Sequence, residues 1–425
     1  MVGNENVDKF LYSIGMHPDW TDISKTAEAF LDEMRRGLWG EKSSLRMIPT
    51  YIGTGGRPFG GVPVVAVDAG GTNLRIGLVT FYNGRAEISR FEQFPMPGSR
   101  GEISSDEFFS ILAEKILPLL DESETLGFCF SYPTKVFPNR DGQILCLTKE
   151  VKIRNIENAL IGESLIEELR SRGLAKPLKF TLLNDTAASL MGGVATLNLS
   201  DCSGLAGLIL GTGFNVCYVE EGANIIKLEN AHDMIINCEC GNFSKAVRGV
   251  SDIMTDEASE IPGEFLLEKM FSGAYHGRLV TNTAILAARS GLLSKAFLKP
   301  NPPFTTLELD EFLRDRDGRS RITAMCTGND ADIMKGIIDR SFERLARLVC
   351  AVIAALCVHT DGGTCMRKPF CVIAEGSIFH NSLLFRAKLD KYIDSFIKAE
   401  ISRNVVIRRA ENATMVGAAL SALLN

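Results

Sequence analysis

The sequence predicts an α/β protein of about two domains, and three observations carry that expectation. Strand-like and helix-like hydrophobic patterns alternate along most of the chain. An apolar strand, a bare glycine-threonine turn and a second apolar strand occur together twice, in VDAGGTNLRIGLV (67–79) and in GLILGTGFNVCYVE (207–220). The 425 residues, 45% hydrophobic and 23% charged, suffice for two separate cores.

Composition narrows the function classes. With 46 basic and 52 acidic residues the net charge is -6 and no basic block occurs, so nucleic acid is not an expected partner. Eleven cysteines form no CxxC pair, and the CxC of Cys238 and Cys240 has no histidine at ligand spacing. Reduced thiols in a cytoplasmic setting are the expectation. The opening MVGNENVDKF lacks the apolar region of a signal peptide. LVCAVIAALCV (348–358) is too short to span a bilayer and reads as a buried core helix, so no membrane partner is expected.

The elements follow in order. VVAVD (64–68), LRIGLVTF (74–81) and AEISRFEQF (86–94) read as a three-strand meander, joined by AGGTN and by the turn NGR. Ser104 with Glu107 predicts a capping box opening the helix FFSILAEKILPLL, and TLGFCF (125–130) predicts a buried strand. ALIGESLIEELRSR reads as a helix closed by Gly173; the strand LKFTLL then ends at Asn184-Asp185. The strand GLAGLIL (204–210), the turn GTGFN and the strand VCYVE (216–220) reopen the pattern, which predicts an approximate internal duplication. A helix around PGEFLLEKMFSGAY, a long helix over 331–358, the strand FCVIAE (370–375) and a closing helix in ATMVGAALSALL complete the chain. No Pro/Gly/Ser-rich linker separates the halves. Any boundary must therefore be crossed by packed structure, with one crossing expected near Asn184 to Gly193 and a return near Arg409: the expected small domain is 61–187 with the C-terminal helix 410–425, and the large domain 1–60 with 188–409.

A turn without side chains lets backbone N–H groups approach an anion, and glycine tolerates the φ values such a loop requires. Two such turns could grip one polyphosphate, helped by the hydroxyls of Thr72 and Thr212. For either turn alone a plain β-hairpin is an equal alternative; the pairing favours phosphate. There is no GK dipeptide of a P-loop, and GTGFNV lacks the third glycine of a dinucleotide fingerprint. Asp68, at a strand end beside the first turn, is placed to hold Mg²⁺ directly or through water.

VAVDAGGTNLR and GLILGTGFNVCYVE resemble the two phosphate segments of the hexokinase family, within the sugar kinase, Hsp70 and actin superfamily. SLRMIPTYI, GFCFSYP, LTKE, LLNDTAASL, INCECGNF and PGEFLLEKMFSGAYHG are similar to further family segments, in family order, from about Phe30 to the C-terminus. The resemblance implies two ribonuclease H-like (actin-like ATPase) domains flanking a cleft, and ATP-dependent phosphorylation of a hexose, glucose being the expected acceptor, at its 6-hydroxyl with Mg²⁺.

It also implies roles. Asp185 would be the base that accepts the hydroxyl proton, Lys149 would offset phosphate charge, and Asp68 with Asp185 would hold the metal. Ser131, Thr148, Lys149, Asn184, Asp185, Asn215, Glu239 and Glu268 would bind sugar. Asp68, Gly70, Gly71, Thr72, Asn73, Arg75, Gly211, Thr212, Gly213, Gly376 and Ser377 would bind nucleotide, with 412–417 near adenosine. Structural alternatives stand beside these: a helix N-cap for Asp185, a solvated side chain for Lys149, an exposed helix face for Glu268, and helix packing for the small residues near 376 and 412–417. Leu147 and Cys240 replace family tryptophans, Glu150 a glycine, and Arg278 an acidic residue, which leaves the preferred hexose open. Cys240 is either oxidisable or an inert buried thiol. Two other functions remain: a catalytically silent sugar sensor, and a kinase for mannose, fructose or an amino sugar.

Overall fold

The computed structural model describes residues 2–56, 60–82, 85–145, 147, 151–315 and 317–424. Two mixed sheets dominate it. The five-stranded sheet runs in the order Lys179–Leu183, Thr125–Phe130, Pro63–Ala69, Asn73–Tyr82, Arg85–Pro95. Its last three strands form the antiparallel meander, and its first two lie parallel to Pro63–Ala69. In the six-stranded sheet the order is Val405–Arg408, Phe370–Glu375, Gly204–Leu210, Phe214–Glu220, Met234–Asn237, with Ile48–Pro49 added at the edge. There too three strands are antiparallel in sequence and two are parallel additions beside the first. The duplication expected from two short segments thus extends to the whole strand order, which is ribonuclease H-like in both sheets.

Local chemistry accounts for the helices that flank the first sheet. Ser104 Oγ accepts from Glu107 N (3.1 Å) and opens Ser105–Ile116, so one arm of the expected capping box is present. That helix buries Phe108, Phe109, Leu112, Ala113 and Ile116 against the sheet, and each large side chain contributes roughly 1.5–3 kcal/mol. Ile161–Ser171 ends as expected at Gly173, whose φ of +105° only glycine adopts readily. The long helix is Asp330–His359, in the core of the second lobe.

Two helices fill the space between the sheets. Asp185–Thr196 packs on the six-stranded sheet and Ala413–Leu424 on the five-stranded one, and the two cross each other. Small residues make the crossing possible: a Cβ on Gly417 would lie 1.8 Å from Ala188 O, and one on Gly192 2.2 Å from Ala413 O. The helix expected around PGEFLLEKMFSGAY is present but short. Only Leu266–Lys269 is helical there, because Gly263 (φ +88°) and Phe265 (φ +51°) break the periodicity before it and the backbone of Gly273 and Ala274 donates elsewhere after it.

Candidate active site

Both glycine turns are hairpin turns, and both face one cleft. The first joins Ala69 to Leu74 and is closed by Gly70 N donating to Asn73 O (3.0 Å); the second joins Leu210 to Phe214 and is closed by Gly211 N donating to Gly213 O (3.0 Å). The plain-hairpin reading is met at both turns, and their place on one cleft leaves the phosphate reading compatible with it. None of Gly70, Gly71, Gly211 and Gly213 has positive φ, so the expectation that these glycines are needed for their backbone angles is corrected: what Gly213 supplies is room, since a Cβ there would lie 2.7 Å from Glu268 Oε2. Gly376 does need its conformation (φ +114°), and a Cβ on it would strike Leu210 O at 2.2 Å.

The cleft holds about 1540 Å³, more than the roughly 300–1,000 Å³ typical of a single small-molecule pocket. Asp68, Gly70, Gly71, Thr72, Asn73, Arg75, Ser131, Asn184 and Asp185 line it from the first-sheet side. Thr212, Gly213, Asn215, Glu239, Glu268, Gly376 and Ser377 line it from the other. Gly211 is buried behind the turn, its carbonyl accepting from Gly273 N (2.8 Å). Thr148 and Lys149, and Glu150 with them, lie outside the described residues.

Asp68 is 5% exposed, and its Oδ2 accepts from Thr414 Oγ1 (2.8 Å) and Arg75 Nη1 (3.2 Å). Burial pushes its carboxyl above the usual range; the Thr414 hydroxyl and Arg75 pull it down, and the charge of Asp185 pushes it up again. Two carboxylates that repel each other across a polar cleft fit a divalent cation. Among the described residues no cluster of three or more His, Cys, Asp or Glu could hold a metal ion; Mg²⁺ commonly takes one or two carboxylates and completes its shell with water and substrate phosphate.

Asn184, not Asp185, caps the helix Asp185–Thr196: its Oδ1 accepts from Thr186 N (2.9 Å). Asp185 is thereby relieved of the capping role and sits in the first helical turn, in the cleft, with Oδ1 accepting from Thr186 Oγ1 (3.2 Å). Three asparagines then run toward Glu239. Asn215 Nδ2 donates to Asn184 Oδ1 (3.4 Å) and to Asn237 Oδ1 (2.7 Å), and Asn237 Nδ2 donates to Glu239 Oε1 (2.8 Å). Asn215 Oδ1 accepts from Val216 N (2.8 Å) and Cys240 N (3.2 Å), so this side chain is built into the wall of the site. Glu239 has φ +52° and Phe265 φ +51°; both line the cleft, where sparsely populated backbone angles tend to collect.

Sequence reasoning passes over Asn237 and Tyr132. Asn237 stands in INCECGNF two residues before Glu239, a spacing that puts both on one face of a strand end. Tyr132, in GFCFSYP, donates its hydroxyl to Gly70 O (3.2 Å), and burial with the charge of Asp185 raises its phenol. Cys240 is fully buried and its thiol is raised well up by burial, the inert alternative of the two. Arg278 donates to Ala258 O (3.0 Å). Of the small residues near 412–417, Asn412, Ala413 and Thr414 line the cleft while Gly417 serves the helix crossing.

Models of the family described as Hexokinase match residues 7–195 and 205–424, the first holding the five-stranded sheet and the second all but the edge strand of the six-stranded one. Hexokinase-3 of Oryza sativa subsp. japonica is 27% identical over 442 residues, covering 95% of this chain and 87% of that protein. Hexokinase-2, chloroplastic, of Nicotiana tabacum is 29% identical over 443 residues, with shares of 95% and 87%. The structure of hexokinase from Schistosoma mansoni complexed with glucose has the same fold, with a TM-score of 0.81 at 24% identity over 100% of this chain and 99% of that one. A family match over both halves, on the segments that carry the glycine turns and the carboxylates between them, establishes that the chain belongs to the hexokinase family.

Proposed function

We propose that this chain transfers the γ-phosphoryl group of Mg²⁺-ATP to the 6-hydroxyl of a hexose, with glucose as the preferred acceptor. ATP-dependent phosphorylation of a hexose is the activity of its family, and one observation supports the finer reading most. Asp185 stands at the start of a helix between two glycine turns that come from two topologically matched sheets. In this reading the turns and Arg75 hold the polyphosphate, with Gly376, Ser377 and 412–414 beside the nucleoside. Asp68 and Asp185 would hold Mg²⁺, which supplies charge neutralisation at the phosphates. Glu239 and Glu268 accept sugar hydroxyls, and Ser131 and Asn184 supply further hydrogen bonds. Asp185 takes the proton of the 6-hydroxyl as it attacks.

The lobes are 61–187 with 410–425, and 1–60 with 188–409. They meet through the two crossing helices, and closure on sugar would exclude the water that competes for the same phosphate. Ten described cysteines are free, which supports a reducing, cytosolic setting, and no helix among the described residues is long and apolar enough to cross a membrane.

A coupled assay of ADP release across glucose, mannose, fructose and glucosamine tests the reading. Sugar-dependent ADP release with the highest kcat/KM for glucose is expected. Glucose binding without ADP release would instead make the protein a silent sensor, and a higher kcat/KM for another sugar would replace glucose as the acceptor.

A further inference from the structure

The second glycine turn is fastened at three points to the Leu266–Lys269 helical turn and the segment that follows it. Phe214 N donates to Glu268 Oε2 (2.9 Å), Gly273 N to Gly211 O (2.8 Å) and Ala274 N to Thr212 O (3.0 Å). The two surfaces are fitted to each other by missing side chains: a Cβ on Gly213 would lie 2.7 Å from Glu268 Oε2, and one on Gly273 2.5 Å from Gly211 O. Neither glycine has positive φ, so close approach is what both positions require. Two of the three bonds are backbone to backbone and independent of side-chain identity. The third ends on a carboxylate that also lines the cleft.

We propose that Glu268 couples the sugar and nucleotide subsites, its Oε2 holding the second glycine turn through the Phe214 amide while the same carboxylate receives the acceptor sugar. This rests on the sugar-binding role given to Glu268 above and adds to it a role in nucleotide binding. An amide bonded to a carboxylate is a charge-assisted contact, stronger than a neutral one and strict in geometry. A sugar hydroxyl that orders the carboxylate therefore orders the Phe214 amide, and with it the adjoining Thr212 and Gly213. Linkage makes the effect reciprocal: nucleotide at the turn raises sugar affinity by the factor that sugar raises nucleotide affinity. Gly213 becomes a positioning residue for Glu268 as well as part of a phosphate turn.

Calorimetry with glucose and with the magnesium complex of a non-hydrolysable ATP analogue, each titrated alone and in the presence of the other, tests the coupling. Glu268→Ala is expected to weaken glucose binding and, with no sugar present, to weaken analogue binding about tenfold, as for loss of a hydrogen bond to a charged group. In Glu268→Gln the side-chain carbonyl can still accept from Phe214 N; glucose binding weakens while sugar-free analogue affinity stays within about twofold. Gly213→Ala, whose methyl would displace the carboxylate, is expected to weaken glucose binding with no nucleotide present. Glu268→Ala with normal sugar-free analogue affinity but weakened glucose binding overturns the coupling and leaves the sugar role standing. Normal glucose affinity in Glu268→Ala overturns the sugar role itself. If circular dichroism shows that Glu268→Ala does not fold, Gly213→Ala decides: nucleotide-free glucose affinity equal to the parent's overturns the coupling.

Discussion

Asp68 shows how a residue can be costly to the fold and necessary to the site. Its carboxylate is taken out of water, and the guanidinium that offsets it belongs to Arg75, 43% exposed and therefore screened. Burial holds its folded pKa above the unfolded 3.8, so the folded state binds more protons than the unfolded one between the two values. Stability then falls as pH rises through that window, and the loss persists above it. Asp68→Asn should raise the thermal midpoint of the ligand-free protein at pH 8, with less gain at pH 5, while lowering kcat/KM for Mg²⁺-ATP by about two orders of magnitude or more. A midpoint equal to or below the parent's at pH 8 would show that the buried charge is compensated. Residue identity at this scale was legible in the sequence where a motif named it, and less so where neighbours compete. In Asn184-Asp185 either side chain could cap a helix; the backbone gives the cap to Asn184, which no propensity distinguishes. The reason for Gly213 was not legible either, since it depends on a carboxylate 55 positions along the chain.

At the scale of elements, the site is set by two helices that start at it. Asp185 opens one, and Ala413 and Thr414 open the other. Thr414 reaches Asp68, so the crossing of the two helices fixes the distance between Asp68 and Asp185. The crossing is backbone on backbone at Gly417 against Ala188 O and at Gly192 against Ala413 O. Gly417→Ala forces the helices apart and should cost about 1–3 kcal/mol in unfolding free energy, read from the denaturation midpoint, together with a loss of turnover. An unchanged midpoint would mean that the helices slide without strain and that their spacing does not set the site. Small residues in ATMVGAALSALL marked a close contact in the sequence but not its partner. The stretch around Glu268 misled for a related reason: its apolar spacing is helical, yet the amides of Gly273 and Ala274 are spent on the neighbouring turn.

For the whole molecule, the repeated strand order puts two equivalent hairpin turns face to face. That repeat was legible because each copy announces itself by an apolar strand, a bare turn and a second strand; register between distant strands was not, because pairing partners lie far apart in the chain, Ile48 opposite Asn237 and Gly204 opposite Phe370. The central claim is that the cleft between the copies carries out phosphoryl transfer with Asp185 as base. Asp185→Asn keeps size and one acceptor but cannot take the proton, and the cap on Asn184 is untouched. Turnover of glucose with Mg²⁺-ATP, measured on this variant beside its glucose affinity, tests the claim most directly. Turnover should fall by about 10⁴ or more with glucose affinity within a few-fold of the parent; turnover within a few-fold of the parent would contradict the account.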